Sequence, residues 1–519
     1  MSWEDEIREV RRREQIAYQM GGAERVARQH ANGRYTVRER VALLLDAGTF
    51  HEYGAITGKA EYDQAGELKS FTPSNFVSGT GELDGRRVVL AADDFTVRGG
   101  AADARVGNKM EFTEKLALDL KLPIVRLVDG TGGGGSVKTL ETAGYTYVPI
   151  LRGFETSMKL LGAVPVVGAC MGSVAGLGAI RVAASHFSVM VKGTSQLFVA
   201  GPPVVERGLG RKVSKEELGG SELHAHGSGV VDNEVATEEE AFEQIKRFLS
   251  YLPPNVYELP PRVEPTDRPD RREEELISII PKDRRKLYDV RRVLNLVLDR
   301  DSLFEIGGEF GKPLVTGLAR VDGYAVGVMA NDPKHLGGAV DARASEKMMR
   351  FVDLCDTFHL PVVYFVDNPG FLIGPQAEAE GTARFGTRAL IAVHQATNPW
   401  LSVLIRRCYG VAGAGHVNVD RHTIRYAWPS CDWGSLPIEG GVMAAYRRDI
   451  EAAPDPAARE KEIETMLNLV RNPIRTAEAF GIEEIIDPRD TRPLVVDWVR
   501  LQYRNLPAQL GPKSRSTRA

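Results

Sequence analysis

The two halves of this chain repeat each other at a fixed distance of 238 positions, without a gap between residues 79–132 and residues 317–370. Glycine, proline and aspartate recur at the same places in both copies, which requires the same turns in the same order. The matched positions include Asp84-Gly85 with Asp322-Gly323, Asp94 with Asp332, Gly99-Gly100-Ala101 with Gly337-Gly338-Ala339, and Val128-Asp129 with Val366-Asp367. The sequence therefore predicts two copies of one domain.

Length and a proline-rich segment indicate where one copy ends and the next begins. A chain of 519 residues exceeds what a single hydrophobic core usually fills. Prolines that cannot continue a helix or a central strand cluster between the copies, at Pro253, Pro254, Pro260, Pro261, Pro265 and Pro269. We predict an N-terminal domain over residues 1–260, which begins with a helical collar, and a C-terminal domain over residues 270–519.

Within each copy, short apolar runs alternate with helical periodicity. In the second copy, strands are predicted over residues 324–329 and 362–366, with a helix over residues 345–358 between them. Asp-Gly between two β runs favours a hairpin turn, which we expect at both matched Asp-Gly pairs. The fold class is therefore α/β, built from repeated strand–strand–helix units.

Bulk charge and hydropathy exclude several classes of protein. A formal charge of −4 and a pI near 6.3 provide no basic field for nucleic acid. We find no apolar run of about 18 residues that would span a membrane, and no secretion signal. We expect a cytoplasmic protein, or a mitochondrial matrix protein if the source is eukaryotic, that binds neither nucleic acid nor a membrane.

Metal and nucleotide motifs are weak in this chain. The four cysteines are scattered without a CxxC pair, so we expect buried thiols rather than a zinc site or disulfides. His224-Ala225-His226 is more typical of a loop than of a metal site, and we predict no metal. The glycine run over residues 130–135 satisfies GxGxxG through its composition and lacks the order of a phosphate loop. Its glycines still permit close approach of the backbone to a ligand.

Two glycine turns occupy matching places at an offset that has become 234 positions after one length change. Each follows an apolar strand and would direct peptide N–H groups outward at the start of a helix, where they could bind an oxyanion. The turns are Val174-Ala175-Gly176-Leu177-Gly178 and Cys408-Tyr409-Gly410-Val411-Ala412. A glycine that only packs at a helix start is the alternative interpretation, but the occurrence in both copies favours a function. No patterned nucleophile accompanies the turns, which indicates catalysis by positioning and electrostatics.

Ordered blocks from about Gly21 to Arg500 resemble the carboxyltransferase (β) subunit of biotin-dependent acyl-CoA carboxylases, the family of propionyl-CoA and methylcrotonyl-CoA carboxylases. The blocks include Gln29-His30, Thr36-Val37-Arg38-Glu39-Arg40, Asp94-Phe95-Thr96-Val97, Gly193-Thr194-Ser195-Gln196, Ala344-Ser345-Glu346-Lys347, Asp367-Asn368-Pro369-Gly370-Phe371, Ala427-Trp428-Pro429 and Ile486-Asp487-Pro488-Arg489. The resemblance implies two tandem crotonase-like ββα superhelical domains. The first would hold the acyl-CoA and the second carboxybiotin, with each site lying between two subunits of a hexamer.

The same resemblance implies a reaction and its residues. Carboxybiotin would release CO2, the biotin enolate would take the α-proton of the acyl thioester, and the thioester enolate would attack CO2. The predicted catalytic residues are Gly176 and Leu177 for the thioester enolate, and Val411 and Ala412 for the ureido oxygen of biotin. Further predicted acyl-CoA residues are Gly132, Gly133, Ala175 and Gly178, and predicted biotin residues are Gly370, Phe371, Gly410, Gly413 and Ala414.

The chain departs from the family at several of these positions. Leu177 and Val411 replace glycines, Gly413 replaces a tyrosine, and residues 129–134 replace an Asp-Ser-Gly-Gly-Ala-Arg segment and so remove a cation. A backbone donor survives a change of side chain if the new residue can adopt the required φ and ψ. The wall near the acyl group nevertheless differs, which indicates a less usual acyl-CoA.

Neither a region for ATP-dependent biotin carboxylation nor a biotin-attachment lysine between methionines is found, so partner subunits must supply both. We predict the carboxyltransferase subunit of an acyl-CoA carboxylase, acting on the α-carbon or the vinylogous γ-carbon. It would work with a biotin carboxylase and biotin carboxyl carrier (α) subunit in a homohexamer or a mixed hexamer. The alternatives are the carboxyltransferase component of a biotin-dependent decarboxylase, a weakly active structural paralogue in a mixed hexamer and, least favoured, a crotonase-type hydratase or isomerase.

Overall fold

A computed structural model describes residues 2–101, 106–130, 140–141, 144–146, 148, 150–151, 153–421 and 423–515. The chain divides into two compact units. The N-terminal unit comprises Met1–Glu258 with Gly511–Ala519, and the C-terminal unit comprises Leu259–Leu510. The change of unit falls inside the proline-rich segment, and residues 251–273 contain neither helix nor strand.

The N-terminal unit is a mixed α/β structure. Its strands are β1 His51–Glu52, β2 Gly58–Tyr62, β3 Leu68–Pro73, β4 Phe76–Leu83, β5 Arg86–Asp93, β6 Ile124–Val128, β7 Val166–Cys170, β8 Ser173–Ala175, β9 Phe187–Val191, β10 Gln196–Phe198 and β11 Asn233–Val235. Its helices are Glu4–Tyr18, Ala23–Ala31, Val37–Leu44, Gly107–Leu120, Phe154–Leu160, Leu177–Ala183, Pro202–Leu209, Lys215–Gly219 and Glu238–Ser250, with a 3₁₀ turn at Arg98–Gly100 and a π-helical turn at Glu222–Ser228.

One sheet organises this unit. Among the described residues its strand order is β1-β4-β5-β6-β7-β9-β11, while β2–β3 and β8–β10 form separate pairs. The pairs β1–β4 and β4–β5 are antiparallel, and from β5 onward the neighbours are parallel. Parallel strands require crossover helices, which explains why helices alternate with β5, β6, β7 and β9.

The C-terminal unit repeats this architecture. Its strands are β12 Phe304–Glu305, β13 Leu314–Val321, β14 Tyr324–Asn331, β15 Val362–Asn368, β16 Trp400–Tyr409, β17 Ile424–Ala427, β18 Asp432–Gly434 and β19 Glu484–Ile485. Its helices are Val290–Val297, Ala342–Thr357, Pro375–Ala379, Thr382–Gln395, Gly410–Ala414, Ile438–Ala452, Pro456–Val470, Pro473–Glu478 and Thr491–Asn505, with 3₁₀ turns at Glu274–Ile277, Leu336–Gly338, Pro488–Asp490 and Leu506–Gln509. The sheet order is β12-β13-β14-β15-β16-β17-β19, with β18 beside β16.

The two predicted Asp-Gly hairpins are confirmed. Asp84 and Gly85 join β4 to β5 with φ of 50° and 73°, and Asp322 and Gly323 join β13 to β14 with φ of 52° and 77°. Positive φ at both central residues produces a twist that matches that of the flanking strands. The repeat is therefore a repeat of structure, and each unit contains the predicted strand–strand–helix succession.

Three helices lie within the first 44 residues, where the helical collar is predicted. The third begins with a capping box, in which the Thr36 hydroxyl accepts from the Glu39 N–H and the Glu39 carboxylate accepts from the Thr36 N–H. The helix predicted over residues 345–358 runs over Ala342–Thr357. Its earlier start follows from Asp341, whose side chain caps the Ala344 N–H at 2.7 Å. All four cysteines are buried free thiols, as expected.

Gly79 tests the close pairing of β1 and β4. A Cβ at this position would lie 2.1 Å from the backbone oxygen of His51, so we expect Gly79→Ala to lower the free energy of unfolding by about 1–3 kcal/mol. Gly208→Ala is the matched control in the same unit, because no heavy atom lies within 4 Å of its Cβ position in a helix. The control should be neutral or stabilising by about 0.5–1 kcal/mol. Urea denaturation of both variants measures the difference, and equal stability would contradict this strand pairing.

Candidate functional site

The first predicted turn lies where β8 meets the helix Leu177–Ala183. Gly176 joins them with φ 59° and ψ −122°, a backbone conformation that side chains with a Cβ rarely adopt. Gly178 follows inside the helix, where an added Cβ would lie 2.8 Å from a methyl carbon of Val174. Glycine is therefore required at the two positions for different reasons. Gly176 adopts the backbone conformation of the turn, and Gly178 allows the helix to pack against β8.

The backbone amides at this turn are not equivalent. The Gly176 N–H donates to the Phe198 carbonyl oxygen at 3.2 Å, and the Ala175 N–H donates to the Gly130 carbonyl oxygen at 3.4 Å. In the part of the chain that the structure describes, the N–H groups of Leu177 and Gly178 have no acceptor, because the first amide bonded back into the helix is that of Ile180. Of Gly176, Leu177 and Gly178, only the last two thus have an N–H group available for a ligand. The donor role predicted for Gly176 is therefore not supported, because its N–H is bonded to Phe198, and Gly176 contributes the backbone conformation.

The second predicted turn has the same construction in the C-terminal unit. Gly410, with φ 61°, follows β16 and begins the short helix Gly410–Ala414. Among the described residues, the N–H groups of Val411 and Ala412 have no acceptor. The Val411 side chain is 65% exposed, whereas Ala412 is buried. An added Cβ on Gly413 would lie 2.9 Å from the backbone carbon of Cys408, which explains why this position is small.

Asn368, His416 and Cys408 hold the second turn in place. The Asn368 side-chain amide donates to the Ala412 carbonyl oxygen at 3.0 Å, and its oxygen accepts from the Gly370 N–H at 2.9 Å. His416 Nδ1 donates to the Gly413 carbonyl oxygen at 2.6 Å, and Cys408 Sγ lies 3.5 Å from the same oxygen. The carbonyl groups of the turn are therefore fixed, so its N–H groups have a defined direction.

The predicted ligand residues are distributed as follows. Gly370 is joined to the second turn through Asn368, while the Phe371 ring packs against Gly386, where an added Cβ would lie 2.5 Å from it. Ala414 is exposed at the end of the short helix. Gly132 and Gly133 lie outside the described residues.

A buried aspartate lies beneath each turn, and sequence reasoning did not find its partners. Asp129 accepts from Arg40 Nη1 at 2.8 Å and lies 3.5 Å from Arg34 Nη1. The rest of the Arg40 guanidinium is bound by Glu238 and by the Met171 carbonyl oxygen. Burial disfavours the charged guanidinium, but the neighbouring carboxylates of Asp129 and Glu238 outweigh it and raise the pKa of Arg40.

The matched aspartate of the C-terminal unit is held by local arginines. Asp367 lies 2.9 Å from Arg406 Nη2 and 2.6 Å from Arg407 Nε, and it accepts from the Tyr288 hydroxyl at 2.8 Å. Burial, followed by the charge of Asp367, raises the pKa of Tyr288 well above its ordinary value. Both arginines lie within β16, so the strand itself supplies the positive charge.

Comparison of the two copies explains why Asp129 is not paired with arginines at the positions that match Arg406 and Arg407. Arg406 corresponds to Gly172 in the first copy, at the offset of 234 positions. An added Cβ on Gly172 would lie 2.1 Å from Asp129 Oδ1 and 2.5 Å from Arg34 Nη1. The guanidinium of Arg34, from the segment between the second and third collar helices, occupies space that a side chain at position 172 would otherwise need. The signal in the sequence was the Gly–Arg difference at matched positions beside a matched aspartate.

A basic pocket of about 700 Å³ borders the first turn through Ser173. Its described lining contains the cations Arg25, Arg28, Arg34, Arg98 and Lys215 and no carboxylate. Neutral amide and hydroxyl groups complete it, among them Gln29, Asn32, Thr194 and Gln196. Such a lining attracts anions and offers guanidinium groups that match phosphate geometry.

Among the described residues, no three His, Cys, Asp or Glu side chains are grouped closely enough to hold a metal ion. The segment around His224 and His226 is a π-helical turn rather than the expected loop, and His226 pairs with Glu234 at 2.9 Å. No described helix combines the length and apolar character needed to cross a membrane.

With this geometry established, comparisons identify the class of protein. Residues 28–516 match the carboxyl transferase domain family. The chain is 37% identical over 505 residues to the propionyl-CoA carboxylase carboxyltransferase subunit of Haloferax mediterranei, with 96% of each chain covered. It is 33% identical to the methylmalonyl-CoA decarboxylase subunit alpha of Veillonella parvula, with 92% of each covered.

Solved structures agree. A crystal structure described as transcarboxylase 12S, a hexamer with methylmalonyl-CoA and methylmalonic acid bound, superposes with a TM-score of 0.87 at 32% identity, covering 100% of this chain and 97% of the other. The chain belongs to the carboxyltransferase-subunit family of biotin-dependent acyl-CoA carboxylases and is a carboxyltransferase enzyme. The resemblance read from the sequence and the prediction of two crotonase-like α/β domains are confirmed.

The buried His416 leads us to predict that the stability of the folded protein falls at acidic pH. Burial lowers the pKa of His416 to about 4, and its Nε2 would have no acceptor among the described residues if it were protonated. A histidine whose pKa is lowered on folding stabilises the folded state fully above its unfolded pKa of about 6.5, and this contribution is lost as pH falls toward 4. We expect His416 to account for a loss of about 2 kcal/mol between pH 7 and pH 5.

The measurement is urea denaturation at both pH values. His416→Asn should be less stable than the parent at pH 7 because it loses the bond to Gly413, yet it should lose less stability on acidification. His186, in the N-terminal unit, has a pKa lowered to about 4 by burial and remains in both proteins, so it serves as an internal constant. An equal loss in both proteins would exclude the proposed role of His416.

Proposed function

We propose that this chain is the carboxyltransferase subunit of an acyl-CoA carboxylase and transfers a carboxyl group to the α-carbon, or the vinylogous γ-carbon, of an acyl-CoA. The observation that carries the proposal is the pair of N–H groups at Leu177 and Gly178 that have no acceptor among the described residues, repeated at Val411 and Ala412. Turns of this kind stabilise a developing oxyanion, and they do so without a catalytic side chain.

At the first turn, the N–H groups of Leu177 and Gly178 would hold the thioester oxygen as it becomes an enolate oxygen. The donors are fixed before reaction, because Gly176 donates its own N–H to Phe198 and Gly178 packs against Val174. A donor oriented in this way is worth about 3–4 kcal/mol of transition-state stabilisation. The backbone thus lowers the barrier to removing an α-proton that is otherwise weakly acidic.

At the second turn, the residues fit the ureido oxygen of biotin. The N–H groups of Val411 and Ala412 have no acceptor in the described part of the chain. Asn368 and His416 bind the carbonyl oxygens of Ala412 and Gly413 in the same turn. Biotin, carried by a partner subunit, supplies the carboxyl group and the base when it is bound. Gly370, Gly410, Gly413 and Ala414 belong to the proposed biotin site.

The basic pocket supports coenzyme A as the carrier of the acyl group. Its five cations match the several phosphate charges of coenzyme A, and Ser173 connects the pocket to the strand that leads into the first turn. Ala175, Gly178 and the glycines at 132 and 133 belong to the proposed acyl-CoA site. The partners proposed are a biotin carboxylase and biotin carboxyl carrier subunit, and further copies of this chain or a related one in a hexamer.

Decarboxylation is the second candidate. Because the same enolate forms in both directions, the same two donors serve either reaction, and the decarboxylase relative from Veillonella parvula matches nearly the whole chain. Retention of both donor pairs, despite leucine and valine side chains at the turns, disfavours a merely structural paralogue. Assay of the purified chain with candidate partner subunits in both directions distinguishes the two.

Removal of one N–H group tests the first turn. Leu177 is the first residue of its helix, where proline is tolerated, so Leu177→Pro removes a donor with little effect on the helix. We expect transfer from a carboxylated CoA thioester to free biotin to slow about 10²–10³-fold in single turnover. Leu177→Ala is the matched control, since it keeps the N–H and should stay within a few-fold of the parent. Equal rates for the two variants would contradict the donor role.

Charge removal tests the basic pocket. Arg28→Gln should raise the KM for the CoA thioester and leave kcat nearly unchanged, because contacts to phosphates far from the reacting carbon bind ground state and transition state alike. The effect should shrink as salt is increased, since exposed charges are screened. Arg207→Gln, at an exposed position of the helix Pro202–Leu209 and outside the pocket lining, is the control. An unchanged KM for Arg28→Gln at low salt would contradict the proposal that the phosphates of coenzyme A bind in this pocket.

A further inference from the structure

A second cavity borders the first turn, and it differs in character from the basic pocket. Its volume is about 230 Å³, and it lies between the start of the helix Gly107–Leu120, the helix Phe154–Leu160 and the helix Leu177–Ala183. Most of its accessible lining is apolar. The apolar contributors are Met110, Leu151, Phe154, Leu177, Ile180 and Ala184.

Leu177 connects this cavity to the chemistry. Its N–H is one of the two donors assigned to the thioester oxygen, and its side chain lines the cavity. The basic pocket reaches the same strand–turn–helix segment through Ser173. A CoA thioester held at the turn would therefore have a phosphate-binding pocket near one end of this segment and an apolar cavity near the other.

We infer that this cavity receives the acyl chain, and that the preferred substrates are acyl-CoAs of medium length rather than propionyl-CoA. The inference rests on the proposed function, because it uses the assignment of the thioester oxygen to Leu177. An apolar cavity of about 150 Å³ holds benzene, so a cavity of 230 Å³ holds roughly nine carbon atoms. The part of a propionyl group beyond the carbonyl carbon would leave most of it empty.

A buried ionic cluster limits the length. Arg126, whose side chain is fully buried, donates to Glu114 at 2.8 Å, and the Ser157 hydroxyl donates to the other oxygen of Glu114. Arg181 pairs with Asp93 at 3.1 Å. Arg126, Glu114, Ser157 and Arg181 also line the cavity, where a longer chain would have to displace paired charges. Separating a buried ion pair is strongly unfavourable, so affinity should stop rising once the chain reaches the cluster.

The first measurement is chain-length dependence. Carboxylated thioesters derived from propionyl-, hexanoyl-, octanoyl- and tetradecanoyl-CoA are supplied with free biotin, and loss of the carboxyl group is followed. We expect kcat/KM to rise about fourfold per methylene up to the hexanoyl to decanoyl range and then to fall. A value that is flat or highest for propionyl would overturn the inference.

Variants of the lining locate the effect. Ile180→Trp should reduce the octanoyl-to-propionyl ratio of kcat/KM by at least about tenfold, because the indole fills the space of two or more methylenes. Phe154→Ala should shift the preference toward longer chains, and it keeps the test decisive if Ile180→Trp fails to fold. Leu120→Trp, on an exposed position of the helix Gly107–Leu120 outside the cavity, should leave the ratio unchanged. If the variants change kcat/KM by the same factor for every acyl-chain length, the acyl chain does not bind in this cavity.

Binding without turnover separates this inference from the proposed function. Calorimetry of propionyl-CoA and octanoyl-CoA should show tighter binding of the longer thioester, and Ile180→Trp should remove the difference. If no thioester loses its carboxyl group while this binding pattern holds, the proposed function fails and the cavity assignment stands. If transfer proceeds while binding ignores chain length, the function stands and the cavity assignment fails.

Discussion

A buried aspartate neutralised by arginine supports the functional turn of each unit. Asp129 directly follows β6, and Asp367 is the next-to-last residue of β15. Both side chains are inaccessible to solvent. Removal of one partner from such a pair is strongly destabilising, by about 3–5 kcal/mol, because it leaves an uncompensated buried charge. The arginines also reach neighbouring carbonyl groups, those of Met171 in the first unit and of Gly337 and Lys286 in the second. The ion pairs thereby fix the strand ends from which the chemistry is built.

On this base, duplication supplies two similar turns with different surroundings. Both turns contain a glycine of positive φ that is followed by two amides without an acceptor among the described residues, an arrangement that suits an oxygen that becomes negative. In the N-terminal unit the turn lies beside a basic pocket and an apolar cavity, which suits a thioester with a phosphate-rich carrier. In the C-terminal unit, Asn368 and His416 hold the turn. The same backbone turn thus suits two chemically different ligands, and the side chains around each turn determine which ligand it suits.

Much of the fold could be predicted from the sequence because it is a matter of local signals and of the repeat. The Asp-Gly hairpins, the collar helices and the alternation of strand and helix all follow from turn chemistry and periodicity. The state of the Gly176 amide could not be predicted, since its acceptor is the backbone carbonyl of Phe198, for which no side chain gives a signal. The partners of Asp129 were equally hidden, because Arg40 and Arg34 precede it by 89 and 95 residues. The cavity beside Leu177 depends on how three helices pack, which periodicity does not specify.

The different origins of the arginines bear on how the two halves can form during synthesis. The N-terminal half is synthesised first on the ribosome. Arg34 and Arg40 have already left the ribosomal tunnel when Asp129 emerges, so Asp129 can pair with them at once. Asp367, by contrast, must wait for Arg406, which is translated 39 residues later. Asp129 therefore does not have to remain unpaired while the core around it forms. For the same reason, a gene shortened at its 5′ end would remove Arg34 and Arg40, which neutralise Asp129. The ion pairs of Asp367 in the second half would remain intact.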